Sequence, residues 1–320
     1  MLEGLRLGGV ILIIALVTWC ALSLGADVGH ASFTPLLRSW GSATLAILMS
    51  LSNYLLRIIR WRLYLYRLGH ALTFPFAALT YLAGFAFTLS PGKIGELVRA
   101  KYYAEKGIPL RDVAAAFCAE RLMDLAGLLV LGALILSADP EYKRCISISA
   151  GIVTCAALFA ITLPWRALGT FLQSSSQHQS RFLRACATAS SFVVGARSLL
   201  QPRTMALGFP IALVAWGLEG AGLGVLGSIF VPGLIGARTA MGIYSVAVLV
   251  GTLSFLPGGL GSTEAVMTAL LVSKGFPVSN ALFTTISCRI VTLWLGVCVG
   301  WLAVVALRYW PMQGSVVTSR

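Results

Sequence analysis

Residues 275–307 read GFPVSNALFTTISCRIVTLWLGVCVGWLAVVAL, and Arg289 is the only charged residue in this run. A helix needs about 20 consecutive, mainly apolar residues to cross the hydrocarbon core of a bilayer. The pattern therefore predicts an all-α polytopic membrane protein. Stretches with few or no charged residues occur at 7–26, 39–56, 71–92, 125–138, 145–165, 204–237, 239–263 and 275–307.

The composition excludes a soluble enzyme with a single hydrophobic core. The chain is 58% hydrophobic and 11% charged, whereas an ordinary soluble domain has roughly 25% charged residues. Its net charge of +13 is typical of a membrane protein with basic cytoplasmic loops, so nucleic acid is not an expected partner. The seven cysteines lack CxxC spacing and the three histidines lack metal-ligand spacing. We therefore expect no disulfide framework, no metal and no cofactor.

The chain contains an internal repeat. Residues 106–110 (KGIPL) match residues 274–278 (KGFPV), and Arg121 matches Arg289 at the same offset. Upstream, the sequence PGKIG at 91–95 matches PGGLG at 257–261. Segments broken by Pro and Gly at corresponding positions of two halves are typical of a transporter with a site in mid-membrane. The alternative is two pairs of kinked helices that carry no cargo.

The positions of Lys and Arg favour re-entrant hairpins over full spans at 72–106 and 239–274. If 71–92 crossed completely, the basic loop that follows would lie outside, against the positive-inside rule. We therefore predict about six full spans plus two re-entrant helical hairpins, related by an inverted internal repeat, with both termini cytoplasmic. The predicted organisation is a single transmembrane domain over 1–320, spans at 7–25, 40–59, 112–137, 145–163, 205–231 and 278–307, a first repeat at 40–137, an interfacial amphipathic connector at 164–204 and a second, inverted repeat at 205–307.

The two predicted hairpin tips are candidate binding sites. Ser90 is expected to cap the exit helix, with Pro91 at its first position. A helix N-terminus beside Lys93 suits an anion such as phosphate, and glycines allow a ligand to approach the backbone. At the second tip Ser262 or Thr263 is the expected cap, and caps without a ligand explain that tip equally well. The remaining tip candidates are Gly92, Gly95, Pro257, Gly258 and Gly261.

Charged residues next to the tips are expected to form one cluster that faces a cavity. Ionisable side chains inside a membrane are costly, so they pair or have a function. The alternative is a buried ion-pair network that only locks the hairpin. Glu219, alone in its span, is a candidate partner for a proton or a cation. The cluster comprises Glu96, Arg99, Glu120, Arg121 and Asp124, and its equivalents in the second repeat are Glu264 and Arg289.

Arg57, Arg60 and Trp61 lie near the inner end of the second predicted span. Basic and aromatic residues at this level can gather phosphate head groups of lipids. An ordinary positive-inside anchor with an aromatic belt is the alternative.

The order of these motifs resembles the lysylphosphatidylglycerol synthase transmembrane-region family, the flippase-like domain of the multiple peptide resistance factor. The residues that carry the resemblance are Arg60-Trp61, the run 91–96 with Arg99, the group Glu120, Arg121 and Asp124, and the run 257–261 with Glu264. The resemblance implies a bacterial or archaeal cytoplasmic membrane protein that moves aminoacylated or polyprenyl-linked lipids between leaflets. Full-length resistance factors add a soluble aminoacyl transferase domain that these 320 residues do not contain, so we expect translocation rather than synthesis.

The sequence therefore predicts a lipid translocase whose partner is a membrane lipid with an anionic head group. In this hypothesis Lys93 and Arg99 hold the head group while the lipid chains stay in the bilayer. One alternative is an integral-membrane transferase that uses a lipid-linked donor, with Glu96, Glu120 or Asp124 as its acid or base. Another is a secondary transporter of a small anion. A homo-oligomer is compatible with the sequence.

Overall fold

The computed structural model describes residues 34–136, 199 and 201–310. Every regular element in this part of the chain is helical, which confirms the all-α prediction. The predicted spans at 7–25 and 145–163, and most of the predicted connector at 164–204, lie outside the described residues. The α-helices are α1 (Thr34–Arg38), α2 (Trp40–Arg67), α3 (Phe74–Phe85), α4 (Arg99–Ala104), α5 (Leu110–Leu136), α6 (Pro202–Phe230), α7 (Ala237–Leu253), α8 (Ser262–Ser273) and α9 (Val278–Arg308).

Three of the described helices, α2, α6 and α9, are long and apolar enough to cross a membrane. They correspond to the predicted spans at 40–59, 205–231 and 278–307. The predicted span at 112–137 corresponds to α5, which has 27 residues but carries the charged residues of the predicted cluster. A π-helical turn at Ile290–Trp294 interrupts α9 directly after Arg289.

Two shorter helix pairs occupy the places of the predicted hairpins. Helix α3 has 12 residues, which corresponds to about 18 Å and is shorter than the hydrocarbon core of about 30 Å. Between α3 and α4 the chain turns through a 3₁₀ helix at Pro91–Val98. Between α7 and α8 it turns through a 3₁₀ segment at Pro257–Gly259. Gly95 is required at the first turn, because a Cβ there would lie 2.4 Å from the carbonyl oxygen of Phe87.

Helices α2 and α6 pack against each other in opposite directions. The Asn53 side chain near the middle of α2 donates a 2.7 Å hydrogen bond to the carbonyl oxygen of Ala215. Towards the end of α2, the Tyr64 hydroxyl lies so close to Gly208 that a Cβ there would be 2.8 Å away. Because residues later in α2 contact residues earlier in α6, the two helices are antiparallel.

The long helix that follows each hairpin packs against the hairpin of the other half. Helix α5 lies along α7, and α9 lies along α3. Glycines make these approaches close. A Cβ at Gly300 of α9 would lie 2.3 Å from the backbone nitrogen of Ala86, and a Cβ at Gly132 of α5 would lie 3.3 Å from the side chain of Val246. The 3₁₀ segments of the two hairpins also contact each other.

The apolar core formed by the described residues has two parts. The first surrounds α3 and α4 and contains Trp61, Phe76, Tyr81 and Tyr103, whose rings contact one another. The second lies between α6, α7 and α8. The space between the two parts is where the hairpin tips meet.

Candidate functional site

A cavity of about 70 Å³ lies where the two hairpin tips meet. On this scale one water molecule needs roughly 10–15 Å³, so the cavity accommodates several waters or a group about the size of a phosphate. Leu89 of the first tip approaches Gly258 of the second so closely that a Cβ at Gly258 would lie 2.6 Å from the leucine side chain. The charged residues that line the cavity are Arg57, Lys93, Glu96, Glu219 and Arg289.

Two of the cations lie over one aromatic ring. The Lys93 Nζ atom is 5.9 Å from the ring centroid of Trp216, and the Arg57 Cζ atom is 5.4 Å from it. Trp216 itself lines the cavity and is only 4% exposed, and its indole N–H has no hydrogen-bond partner in the described part of the chain. Lys93 of the first tip and Arg57 of α2 therefore bring two cations to the same small space, which suits an anion.

A network of ion pairs joins Arg57 to the predicted charge cluster. The structure brings together all five residues of the predicted cluster and adds Arg57 and Arg60 to them. Asp124 has the shortest of these contacts, because Arg60, Arg121 and Arg57 approach its carboxylate to 2.5, 3.1 and 3.6 Å. Glu120 lies 3.4 to 3.5 Å from four guanidinium groups. The network contains four guanidinium groups and three carboxylates, so it retains an excess of one positive charge. Its members are Arg57, Arg60, Glu96, Arg99, Glu120, Arg121 and Asp124.

Arg99 connects the first tip to α5 without reaching the cavity. Its Nη2 atom lies 3.2 Å from Glu96 and 3.4 Å from Glu120, and its Cζ atom lies 4.0 Å from the ring centroid of Trp61. The Arg99 side chain is fully buried and does not line the cavity, in contrast to Lys93. From this position Arg99 orients the carboxylate of Glu96, which also accepts a 3.0 Å hydrogen bond from Thr88.

The second tip is held by a single ion pair among the described residues. Arg289 Nε lies 2.5 Å from Glu264, and Arg289 Nη2 donates to the carbonyl oxygen of Gly258 at 2.8 Å. The corresponding residues of the first repeat, Arg121 and Glu96, also form an ion pair, at 3.7 Å. The repeat in the sequence thus places an acid from a tip beside an arginine from a long helix in both halves.

The helix starts at the two tips differ from the expected caps. Gly261, rather than Ser262 or Thr263, precedes α8, and its N–H donates to Glu264 at 2.7 Å. The prediction of a Ser or Thr cap at this tip was wrong, because Gly261 occupies the cap position and Glu264, one turn into the helix, accepts from the N–H of Gly261. At the first tip Ser90 does precede the helix, but its hydroxyl accepts from the N–H of Gly95, at 2.7 Å.

The predicted lipid-gathering residues are not at a surface. Arg60 and Trp61 are fully buried, and the Trp61 indole N–H donates to the hydroxyl of Tyr103 at 2.8 Å. Such burial does not fit direct contact with head groups outside the bundle. Arg57 instead lines the cavity.

Several residues at the cavity were not singled out from the sequence. Trp216 precedes Glu219 by three residues, which places both on one face of α6. Tyr54 lines the cavity and donates to the carbonyl oxygen of Thr292, at 2.6 Å, in the π-helical turn. The hydroxyl of Tyr244 donates to Glu219. The sequence feature that could have identified Trp216 is its position in the middle of a span, since aromatic residues in membrane helices are concentrated near the interfaces.

Comparison with known proteins agrees with the resemblance in the motifs. Residues 7–300 match the family described as the lysylphosphatidylglycerol synthase TM region. A UPF0104 membrane protein of Methanothermobacter thermautotrophicus is 25% identical over 315 residues, covering 91% of this chain and 89% of the relative. The family connects its members with lipid modification or lipid transport, and hence with a lipid-related substrate. Because the match extends over most of the chain and the helices are apolar, this membrane-embedded protein belongs to the lysylphosphatidylglycerol synthase transmembrane-region family.

Proposed function

We propose that the protein is a lipid translocase that moves a lipid with an anionic head group between the leaflets of a bacterial or archaeal cytoplasmic membrane. The observation that carries the proposal is the cavity at the meeting point of the two tips, where Lys93 and Arg57 share the face of Trp216. The phosphate of the head group binds these two cations. The lipid chains stay in the bilayer, because the cavity of about 70 Å³ has room for little more than the phosphate.

An inverted repeat gives this site access from either side. Residues 40–137 form the first repeat and 205–307 the second, so α2 corresponds to α6, α3 to α7 and α5 to α9. The antiparallel contact of α2 with α6 and the exchanged contacts of α5 with α7 and of α9 with α3 support this correspondence. The re-entrant hairpins then enter from opposite faces, the arrangement that alternating access uses.

The distribution of basic residues supports cytoplasmic termini. The end of the bundle where α2 terminates carries most of the described basic residues outside the ion-pair network, and this end faces the cytoplasm under the positive-inside rule. Helix α9 ends on the same face, close to the start of α3. The basic residues at this end are Arg62, Arg67, Lys101, Lys106, Arg111, Arg203 and Arg308; those at the other end are Arg38, Arg238 and Lys274.

Two alternative functions are supported by fewer features of the structure than lipid translocation is. The transferase hypothesis names Glu96, Glu120 or Asp124 as its acid or base, and all three of these carboxylates contact guanidinium groups. A small-anion transporter is consistent with the size of the cavity, but a lipid phosphate offers the same chemistry, and the family connects the protein with lipids.

Leaflet exchange in proteoliposomes tests the proposal. Head-group-labelled phosphatidylglycerol, lysyl-phosphatidylglycerol and a polyprenyl phosphate are compared, and uptake of inorganic phosphate is measured in parallel. Lys93→Met removes the ammonium but keeps an apolar stem of similar length. A hydrogen bond to a charged group contributes about 1.5–3 kcal/mol, so we expect exchange to slow by about 10- to 100-fold.

Lys101→Met is the matched control, because Lys101 lies on the same hairpin but is exposed. Its exchange rate should equal that of the unaltered protein. Phosphate uptake without lipid exchange would identify a small-anion transporter. Equal slowing by both variants, or exchange of no lipid by folded protein, would refute the proposed site.

A further inference from the structure

Glu219 differs from the other acids around the cavity. Each of the other acids has a guanidinium group as its nearest charged partner, which stabilises the ionised carboxylate. Glu219 is 5% exposed, and in the described part of the chain its carboxylate has the Tyr244 hydroxyl as its direct partner. A phenol donates to a carboxylate and, more weakly, to the carbonyl oxygen of a carboxylic acid, so Tyr244 can stay bonded to Glu219 in either form. The acid-to-guanidinium contacts are 3.2 Å for Glu96, 3.4 Å for Glu120, 2.5 Å for Asp124 and 2.5 Å for Glu264.

Glu219 faces the same cavity as the proposed phosphate site. Both Glu219 and Lys93 line it, but no ion pair joins them among the described residues. The cavity is small, so a phosphate bound at Lys93 lies within several ångströms of the Glu219 carboxyl. The titratable and charged groups that face Glu219 are Tyr54 and Arg57 from α2, Lys93 and Glu96 from the first tip, Tyr244 from α7, and Cys288 and Arg289 from α9.

A bound phosphate changes the balance of charge around Glu219. In the empty cavity, Lys93, Arg57 and Arg289 attract a negative carboxylate at this position. A phosphate bound to these cations brings another negative charge. Two unit charges about 6 Å apart, at an effective dielectric constant of about 20, alter a proton equilibrium by about 100-fold. Binding of the anion therefore favours the neutral carboxylic acid at Glu219.

We infer that Glu219 takes up one proton when an anionic head group binds in the cavity, and that the protein moves lipid and proton together. The inference rests on the proposed lipid translocation. The proton comes from water and joins a carboxylate oxygen of Glu219, so the added negative charge of the phosphate and the added positive charge of the proton cancel. The loaded and the empty cavity then have the same net charge, and a transmembrane pH gradient drives lipid movement.

Proton uptake on binding measures this coupling directly. Dioctanoyl phosphatidylglycerol is added to the purified full chain in weakly buffered detergent that contains a pH indicator, and binding is followed by calorimetry. We expect uptake of about one proton per bound lipid in the unaltered protein and none in Glu219→Gln. By linkage, the Kd should rise by up to tenfold per pH unit in the unaltered protein and stay nearly constant in Glu219→Gln.

Two control variants test whether Glu219 is the group that takes up the proton. Glu105→Gln alters an exposed acid outside the cavity and should leave proton uptake unchanged. Because the Lys93 ammonium can also lose its proton as the pH rises, Lys93→Arg provides a cation that stays charged. The pH dependence of the Kd should persist in Lys93→Arg.

The outcomes separate this inference from the proposed function. Absence of lipid binding to the unaltered, folded protein would overturn both. Binding without proton uptake, or equal uptake by Glu219→Gln, would overturn the inference alone. If Glu219→Gln does not fold, Tyr244→Phe replaces it. Loss of the donating hydroxyl should move the pH of half-maximal uptake upwards, and an unchanged pH would contradict the assignment.

Discussion

Replacement of Asp124 by Asn should destabilise the protein by about 3–5 kcal/mol, the range measured when one partner of a buried ion pair is removed. Three guanidinium groups lie within 3.6 Å of the Asp124 carboxylate. At an effective dielectric constant of about 20, each attraction is on the order of 5 kcal/mol before desolvation is subtracted. The nearest partner, Arg60, is fully buried, so water cannot replace the lost carboxylate.

The magnitude depends on the excess charge that the variant leaves behind. The network has one more guanidinium than it has carboxylates, and Asp124→Asn raises this excess to two. The two Arg60 side-chain nitrogens Nε and Nη1 already lack hydrogen-bond partners among the described residues. Removing the nearer charge that faces Nη2 leaves Arg60 with Glu120, at 3.5 Å, as its one remaining carboxylate among the described residues.

Asp112→Asn is a matched control with the same chemical change. Asp112 lies 2.8 Å from His70, and both side chains are about one-fifth exposed, so water screens the pair and it should contribute about 1 kcal/mol or less. Equilibrium unfolding in mixed detergent micelles measures both variants. A loss below about 1 kcal/mol for Asp124→Asn, or equal losses for the two variants, would refute the view that this network is a strongly coupled buried unit.

Two further substitutions test the first hairpin. Gly95→Ala places a Cβ within 2.4 Å of a backbone carbonyl oxygen. We expect it to lower the free energy of unfolding by about 1–3 kcal/mol and to slow lipid exchange. Gly41→Ala is the control, because no atom lies within 4 Å of its Cβ, and it should change neither quantity. Arg99→Lys removes the planar group that stacks 4.0 Å from the ring centroid of Trp61 and contacts two carboxylates. It should reduce unfolding free energy by about 2 kcal/mol in the same micelles, and unchanged stability would contradict the bridging role of Arg99.

Local patterns were sufficient to predict the long helices and the matched pairs of the repeat. Apolar runs predicted α2, α6 and α9 because burial in lipid requires about 20 such residues in sequence. The offset match between Arg121 and Arg289, with Glu96 and Glu264, predicted equivalent positions. In each half of the chain the acid contacts the arginine, Glu96 with Arg121 and Glu264 with Arg289, because repeated sequence folds into repeated local geometry.

Contacts between residues far apart in sequence could not be predicted in this way. The position of Arg60 at the end of an apolar run favoured a surface, yet it pairs with Asp124 on another helix. Helix periodicity indicates which side chains share a face, but not which helix that face meets. The predicted helix cap at the second tip was wrong for a similar reason. Ser262, Thr263 and Glu264 all suit a helix start, and only the backbone geometry decides between them.

The backbone at Lys93 has φ of 57°, in the left-handed region that glycine adopts without strain. A side chain with a Cβ costs about 1 kcal/mol or more in this conformation. Stability and charge therefore favour different residues at position 93. Glycine would relax the turn and leave the cavity without its ammonium, whereas lysine retains the ammonium in a strained turn. This position is a local trade-off between a more stable tip and a more cationic one.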